Sequence, residues 1–161
     1  MATTSYAIAL GSNRRSRHGS PEATLRAALV QLRPAVVSQI KATVPLGPSH
    51  RRYANAVALI ETTDAPPELL ARLKAIERAF GRRRGRRWGA RVLDLDVVLW
   101  SEGAWAGPGL VVPHPQFRMR RFVLDPLAAI APAWRDPLSG LSVRQLAYRA
   151  RRLANALDRV N

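Results

Sequence analysis

From Val92 to Trp100 the chain reads Val, Leu, Asp, Leu, Asp, Val, Val, Leu, Trp. A run so rich in aliphatic and β-branched residues favours a buried strand. Yet it carries two carboxylates, in a chain with 11 acidic residues against 26 basic ones. Strand side chains alternate between faces, so Asp94 and Asp96 project to one side, their Cα atoms about 6.5–7 Å apart. Leu93, Leu95 and Val97 point the other way, into a core. The pattern demands a sheet with one packed face and one face that tolerates or uses paired negative charge.

The rest of the chain supplies the partners for such a sheet. "SYAIAL" (5–10) predicts a strand stopped by a "GSN" turn. Ser20 followed by Pro21 predicts a capped helix start, with Leu25, Ala28, Leu29 and Leu32 at helical spacing and Pro34 ending it. "AVVSQIKA" (35–42) and "YANAVALIET" (53–62) predict two more strands. The spacing of Leu69, Leu70, Leu73, Ile76 and Phe80 predicts a helix over 67–80, closed by Gly81. Beyond the Asp-bearing strand, "LVVPHP" is a short extended segment, and Pro126 opens a helix carrying Leu127 and Ile130. "SVRQ" (142–145) has the form of a capping box for a last helix with Leu146, Leu153, Leu157 and Val160 inward. Mixed elements, short connections and no repeat predict one α+β domain over 1–161.

At 161 residues and 47% hydrophobic, the chain can bury a core. It has no cysteine, which excludes disulfides and cysteine-ligated zinc. No apolar run is long enough for a membrane span, and the N-terminal stretch lacks the basic region of a signal peptide. The expectation is a cytoplasmic monomer with no membrane partner.

The net charge is +15, and Lys41 and Lys74 are the only lysines. A compositional bias toward arginine accounts for the total but not for the clustering. Arg82, Arg83, Arg84, Arg86, Arg87 and Arg91 fall within ten residues, immediately before the two aspartates. Guanidinium forks are suited to phosphate oxygens. Paired carboxylates beside them suit Mg²⁺ shared between protein and phosphates. The plainer alternative, in which both aspartates only pair with the arginines, stays open on spacing alone. A hydrolytic carboxylate pair fits less well, since it needs its two acidities pushed apart. An RNA-binding module, with the arginines tracking phosphates and Trp88 stacking on a base, explains the charge. It leaves Asp94 and Asp96 facing a polyanion, so no nucleic-acid partner is expected.

The string "GRRRGRRWGARVLDLD" resembles the signature of the 6-hydroxymethyl-7,8-dihydropterin pyrophosphokinases. "YAIALGSN", "TVPLG", "YANAV", "LLARLKAIE", "VPHP" and "RRFVLDPLAAIAP" extend the resemblance along nearly the whole chain. Ala90 stands where that signature has proline, and Lys41 where tyrosine is common. The resemblance implies a ferredoxin-like α+β fold, a central antiparallel sheet between helices in three layers. It implies transfer of pyrophosphate from ATP to the hydroxymethyl oxygen of the pterin, with release of AMP. Two Mg²⁺ ions would be held by Asp94 and Asp96, and Arg82 and Arg91 would assist the transfer. Glu77, Arg84, Trp88, Arg91, His114 and Arg120 would contact ATP. Tyr53 and Phe122 would sandwich the pterin, while Asn55 and the chain near Thr43 and Leu46 read its edge. The arginine loop is then expected to close over the phosphates.

Overall fold

The computed structural model describes residues 2–43, 52–81 and 92–160. Expectations that fall on Leu46, Arg82, Arg84, Trp88 and Arg91, and on the arginine loop as a whole, lie outside these residues.

Strand β1 (Thr4–Ser12) is followed by α1 (Pro21–Leu32), β2 (Val36–Val37), β3 (Lys41–Thr43), β4 (Tyr53–Thr62), α2 (Pro66–Ala79) and β5 (Asp94–Trp100). β6 (Trp105–Gly107) and β7 (Leu110–Val112) form a small ribbon. A 3₁₀ turn (Phe117–Met119), α3 (Arg121–Ile130) and α4 (Val143–Val160) complete the chain. The main sheet runs β2-β4-β1-β5, with β3 also on β4, and every pairing is antiparallel. The β1-α1-β2 unit brackets β4 and the β4-α2-β5 unit brackets β1, the interleaving expected for a ferredoxin-like sheet.

One face of the sheet packs on α1 and α2. Tyr6, Ile8, Leu10, Ala56, Ala58, Ile60, Leu95 and Val97 meet Leu25, Leu32, Leu69 and Leu73 there, all buried. The other face packs on α3 and α4 through Ala7, Val57, Val98, Leu99, Leu124, Leu127, Val143 and Leu146. The expected three layers are present, and Leu93, Leu95 and Val97 face the core as the alternation demands.

β5 breaks its own alternation once. Ala7 pairs with Leu99 but Ile8 pairs with Val97, so Val98 is an extra residue in the strand. Such a bulge resets the phase. Val98 and Leu99 both address the α3–α4 side, and Trp100 returns to the other, stacked on Tyr6 at 5.7 Å between ring centroids.

Several expectations are corrected. "GSN" does not stop β1 at residue 10: Gly11 pairs with both Asn55 and Asp94, and Ser12 with Ala54, so neighbouring strands hold the segment extended. The strand over 35–42 is two short pieces. Between them the Ser38 hydroxyl accepts the Val57 N–H at 2.9 Å, taking a ladder bond into a side chain. Pro126 lies inside α3 rather than at its start; the helix begins with Arg121, where the Arg120 carbonyl accepts from Val123 and Leu124. The capping box of α4 forms as expected, with Ser142 N–H donating to Gln145 Oε1 and Gln145 N–H to Ser142 Oγ. Of its four expected inward residues only Leu146 is buried, while Leu153, Leu157 and Val160 are exposed.

Candidate active site

The α3–α4 face of the sheet is covered over only part of its length. Along β1 the residues on this face are Ala7, Ala9 and Gly11, and the cross-strand rows are Leu59–Ala7–Leu99, then Val57–Ala9–Asp96, then Asn55–Gly11–Asp94. The first row lies under the helices and the last is open. Because β1 contributes only small side chains here, a trough forms between β4 and β5. At its floor a Cβ on Gly11 would stand 3.3 Å from Asn55 Oδ1. The resulting cleft encloses about 870 Å³, within the range of small-molecule sites.

Eight of the expected site residues line this one cleft: Thr43, Tyr53, Asn55, Asp94, Asp96, His114, Arg120 and Phe122. Tyr53 opens β4 opposite Thr43, whose hydroxyl donates to the Tyr53 carbonyl at 3.4 Å. Phe122 stands on the first turn of α3, whose neighbours Val123 and Leu124 are buried in the core. Tyr53 and Phe122 are 47% and 51% exposed, large apolar surfaces left facing the cleft. Asp94 and Asp96 project half-buried from β5.

His114 and Arg120 are set by the segment between β7 and α3. The carbonyl of the bulge residue Val98 accepts the His114 N–H at 2.9 Å. The Gln116 N–H donates to His114 Nδ1 at 3.1 Å, so a neutral ring carries its proton on Nε2. Burial pushes the His114 pKa down, with Asp96 opposing and Arg120 adding to the shift. The neutral ring is the dominant form at neutral pH. Arg120 donates to Gln116 Oε1 and lies over the Phe122 ring, 5.7 Å from its centroid. Behind them Arg118 makes a two-pronged bond to the fully buried Asp136, at 2.6 and 2.8 Å. That pair anchors the turn from below.

Glu77 is placed elsewhere. It does not line the cleft but lies 1% exposed on the sheet side of α2. Its Oε2 accepts the Leu95 N–H at 3.0 Å, and Lys74 Nζ is 3.3 Å from Oε1. β5 is an edge strand of the main sheet, and Glu77 takes up a backbone N–H there, between the two aspartates. In the described structure the residue braces the strand that mounts the carboxylates.

Sequence reasoning missed Gly11, Ser12 and Asn13, which also line the cleft. The string "GSN" was visible, but its small polar residues read as a turn rather than as a strand end with room beside it.

Among the described residues no three His, Cys, Asp or Glu side chains gather to hold a metal by themselves. A pair of carboxylates is nonetheless a suitable partial set for Mg²⁺, which usually takes one or two carboxylates and completes its shell with phosphate oxygens and water.

The architecture and cleft define an α+β small-molecule-binding domain whose polar site is built on one end of an antiparallel sheet. The model of the 7,8-dihydro-6-hydroxymethylpterin-pyrophosphokinase (HPPK) family matches residues 7–132, and the chain belongs to that family. It is 44% identical over 133 residues to a 2-amino-4-hydroxy-6-hydroxymethyldihydropteridine pyrophosphokinase of Pseudomonas aeruginosa, covering 81% of this chain and 82% of the relative. The enzyme of the same name from Synechocystis is 46% identical over 100 residues, 62% of this chain and 51% of the relative. The fold is similar to that of Plasmodium falciparum HPPK-DHPS, with a TM-score of 0.72 at 13% identity over 92% of this chain and 45% of that one. The match thus spans about half of the Synechocystis relative and less than half of the Plasmodium chain. No helix among the described residues is long and apolar enough to cross a membrane.

Proposed function

We propose that the protein transfers a pyrophosphoryl group from ATP to the hydroxymethyl oxygen of 6-hydroxymethyl-7,8-dihydropterin and releases AMP, a step of folate biosynthesis. The observation that carries this reading, beside membership of the family, is that one cleft brings two aromatic faces and an amide together with two carboxylates, an imidazole and a guanidinium. The first set suits a flat heterocycle with polar edges, the second a nucleotide's phosphates.

Tyr53 and Phe122 would clasp the pterin ring, with Asn55 and Thr43 reading its edge and Leu46 completing that side. Asp94 and Asp96 would hold Mg²⁺, two ions in the fullest form of the reading. The metal would neutralise phosphate charge and help align the two substrates. His114, through its Nε2 proton, and Arg120 would donate to phosphate oxygens. Glu77 would act through β5, keeping the two carboxylates in place. Arg82, Arg84, Trp88 and Arg91 would complete the nucleotide side, with Arg82 and Arg91 assisting transfer. A substrate alcohol is a weak nucleophile and the cleft holds no lysine or cysteine. Catalysis therefore rests on positioning and charge, as phosphoryl transfer generally does.

The direct test is AMP release from ATP and Mg²⁺, with and without the hydroxymethyl pterin. The reading requires release that depends on the pterin and on the metal. ATP consumption indifferent to the pterin would overturn it.

A further inference from the structure

The last helix carries a surface that the cleft does not use. In α4 the residues Leu146, Ala150, Leu153, Leu157 and Val160 recur at alternating intervals of four and three, the spacing of a helix–helix seam. Leu146 is buried and Ala150 packs partly against the core, but Leu153, Leu157 and Val160 are 60, 66 and 84% exposed. The seam that joins α4 to the domain therefore continues past the domain with nothing on it among the described residues. From Arg151 onward hardly any side chain is covered, so tertiary packing does little to hold these turns helical.

We propose that this stretch of α4 is a docking surface for an acidic amphipathic helix of a partner protein. Charge selects the occupant. α4 carries five arginines, at 144, 149, 151, 152 and 159, against the single acid Asp158. By helical geometry Arg149 and Arg152 flank the apolar stripe on one side, and on the other the small Ala154 leaves room for a partner backbone to come close, while Ala147 before it is buried in the domain. A partner with leucines on its seam and carboxylates beside them meets both features. A second copy of this chain would bring five more arginines and a net charge of +15 to the same place. A flat lipid surface is disfavoured by shape: the exposed stripe faces the same side as its buried beginning, so a plane laid along it runs into the domain.

The full chain can be tested against a labelled synthetic helix with leucine at its seam positions and glutamate beside them. The control has the same leucines and lysine in place of glutamate. Fluorescence anisotropy should report binding of the acidic peptide alone, weakened by salt. The double substitution Leu153→Gln and Leu157→Gln should reduce it by at least about tenfold, the order expected for losing buried leucine contacts. AMP release should be unchanged, because both side chains lie away from the cleft. Undiminished binding by the double variant would overturn the proposal. So would concentration-dependent dimerisation abolished by the same substitutions, which gives the surface to a second copy. Binding to phosphatidylglycerol vesicles without binding to the acidic peptide would give it to a membrane, and the proposal would fail.

Discussion

Asp96 and Leu99 lie three residues apart on β5 and address the same face of the same sheet, in surroundings that are opposite. Leu99 is fully buried under α3 and α4, opposite Ala7. Asp96 is half-buried in the open cleft, opposite Ala9. The strand, its pairing and its partner are common to both. What differs is how far the helices reach along the sheet. One end of the face thus serves stability and the other is free for chemistry, and the bulge at Val98 adds Leu99 to the buried end.

That contrast can be broken from either end. Asp96→Asn is expected to have the largest effect, a loss of about 10²–10³-fold or more in AMP release, the range for removing one preorganised electrostatic group, with the melting temperature nearly unchanged. Steady-state kinetics beside a thermal melt checks both halves; normal turnover at ordinary Mg²⁺ would reject the metal role. Leu99→Ala should give the mirror result. It should lose about 2–5 kcal/mol of stability, the range for truncating a buried leucine, while the molecules still folded at low temperature keep their activity. Denaturant titration reads the first and active-site-normalised rates the second.

Smaller changes sharpen the boundary between the two halves. Burial opposes the ionisation of Asp136, but the hydrogen bonds from Arg118, Ser139 and the Leu138 N–H outweigh it and hold the carboxyl down to about 2. With the folded value below the unfolded one, the stabilisation is present above pH 4 and lost as pH falls toward 2. Asp136→Asn should cost about 1.5–3 kcal/mol at neutral pH, as for hydrogen bonds to a charged group, and should flatten this acid dependence. Urea midpoints at pH 7, 4 and 3 would show it; parallel curves for the two proteins would contradict it. Asn55→Ala should weaken pterin binding by about 1–3 kcal/mol and leave ATP binding nearly intact, measured by calorimetry with each ligand. Equal losses would remove Asn55 from the pterin side.

The sequence made some of this visible because the signals were local. β4 spans the residues expected, α1 begins at the proline after its capping serine, and the Asp-bearing strand shows its faces by simple alternation. The misses came from partners distant in sequence. "GSN" extends β1 because Asn55 and Asp94 pair with Gly11 on both sides, and nothing within the tripeptide announces that. The Val98 bulge is equally silent, since its residue type suits either face. In α4 the apolar spacing was expected to point inward throughout, but past Ala150 no described residue covers it, and the spacing alone does not say how far the packing extends. For the site, residue chemistry and the family pattern together located the aspartates and aromatics, while the bracing contact of Glu77 on Leu95 required the fold.

The row Asn55–Gly11–Asp94 also makes the sheet a ruler. Asn55 and Asp94 are separated by one intervening strand, so their backbones stand two interstrand spacings apart, about 9–10 Å. Hydrogen-bond geometry sets that length, and no rotamer or side-chain exchange can alter it. In the proposed reaction it is the gauge between the amide that reads the heterocycle and the carboxylate that serves the phosphates. A substrate with a longer or shorter arm between its ring and its reacting oxygen would be out of measure on this frame. Accepting it would fall to side chains of different reach, since the frame itself does not stretch.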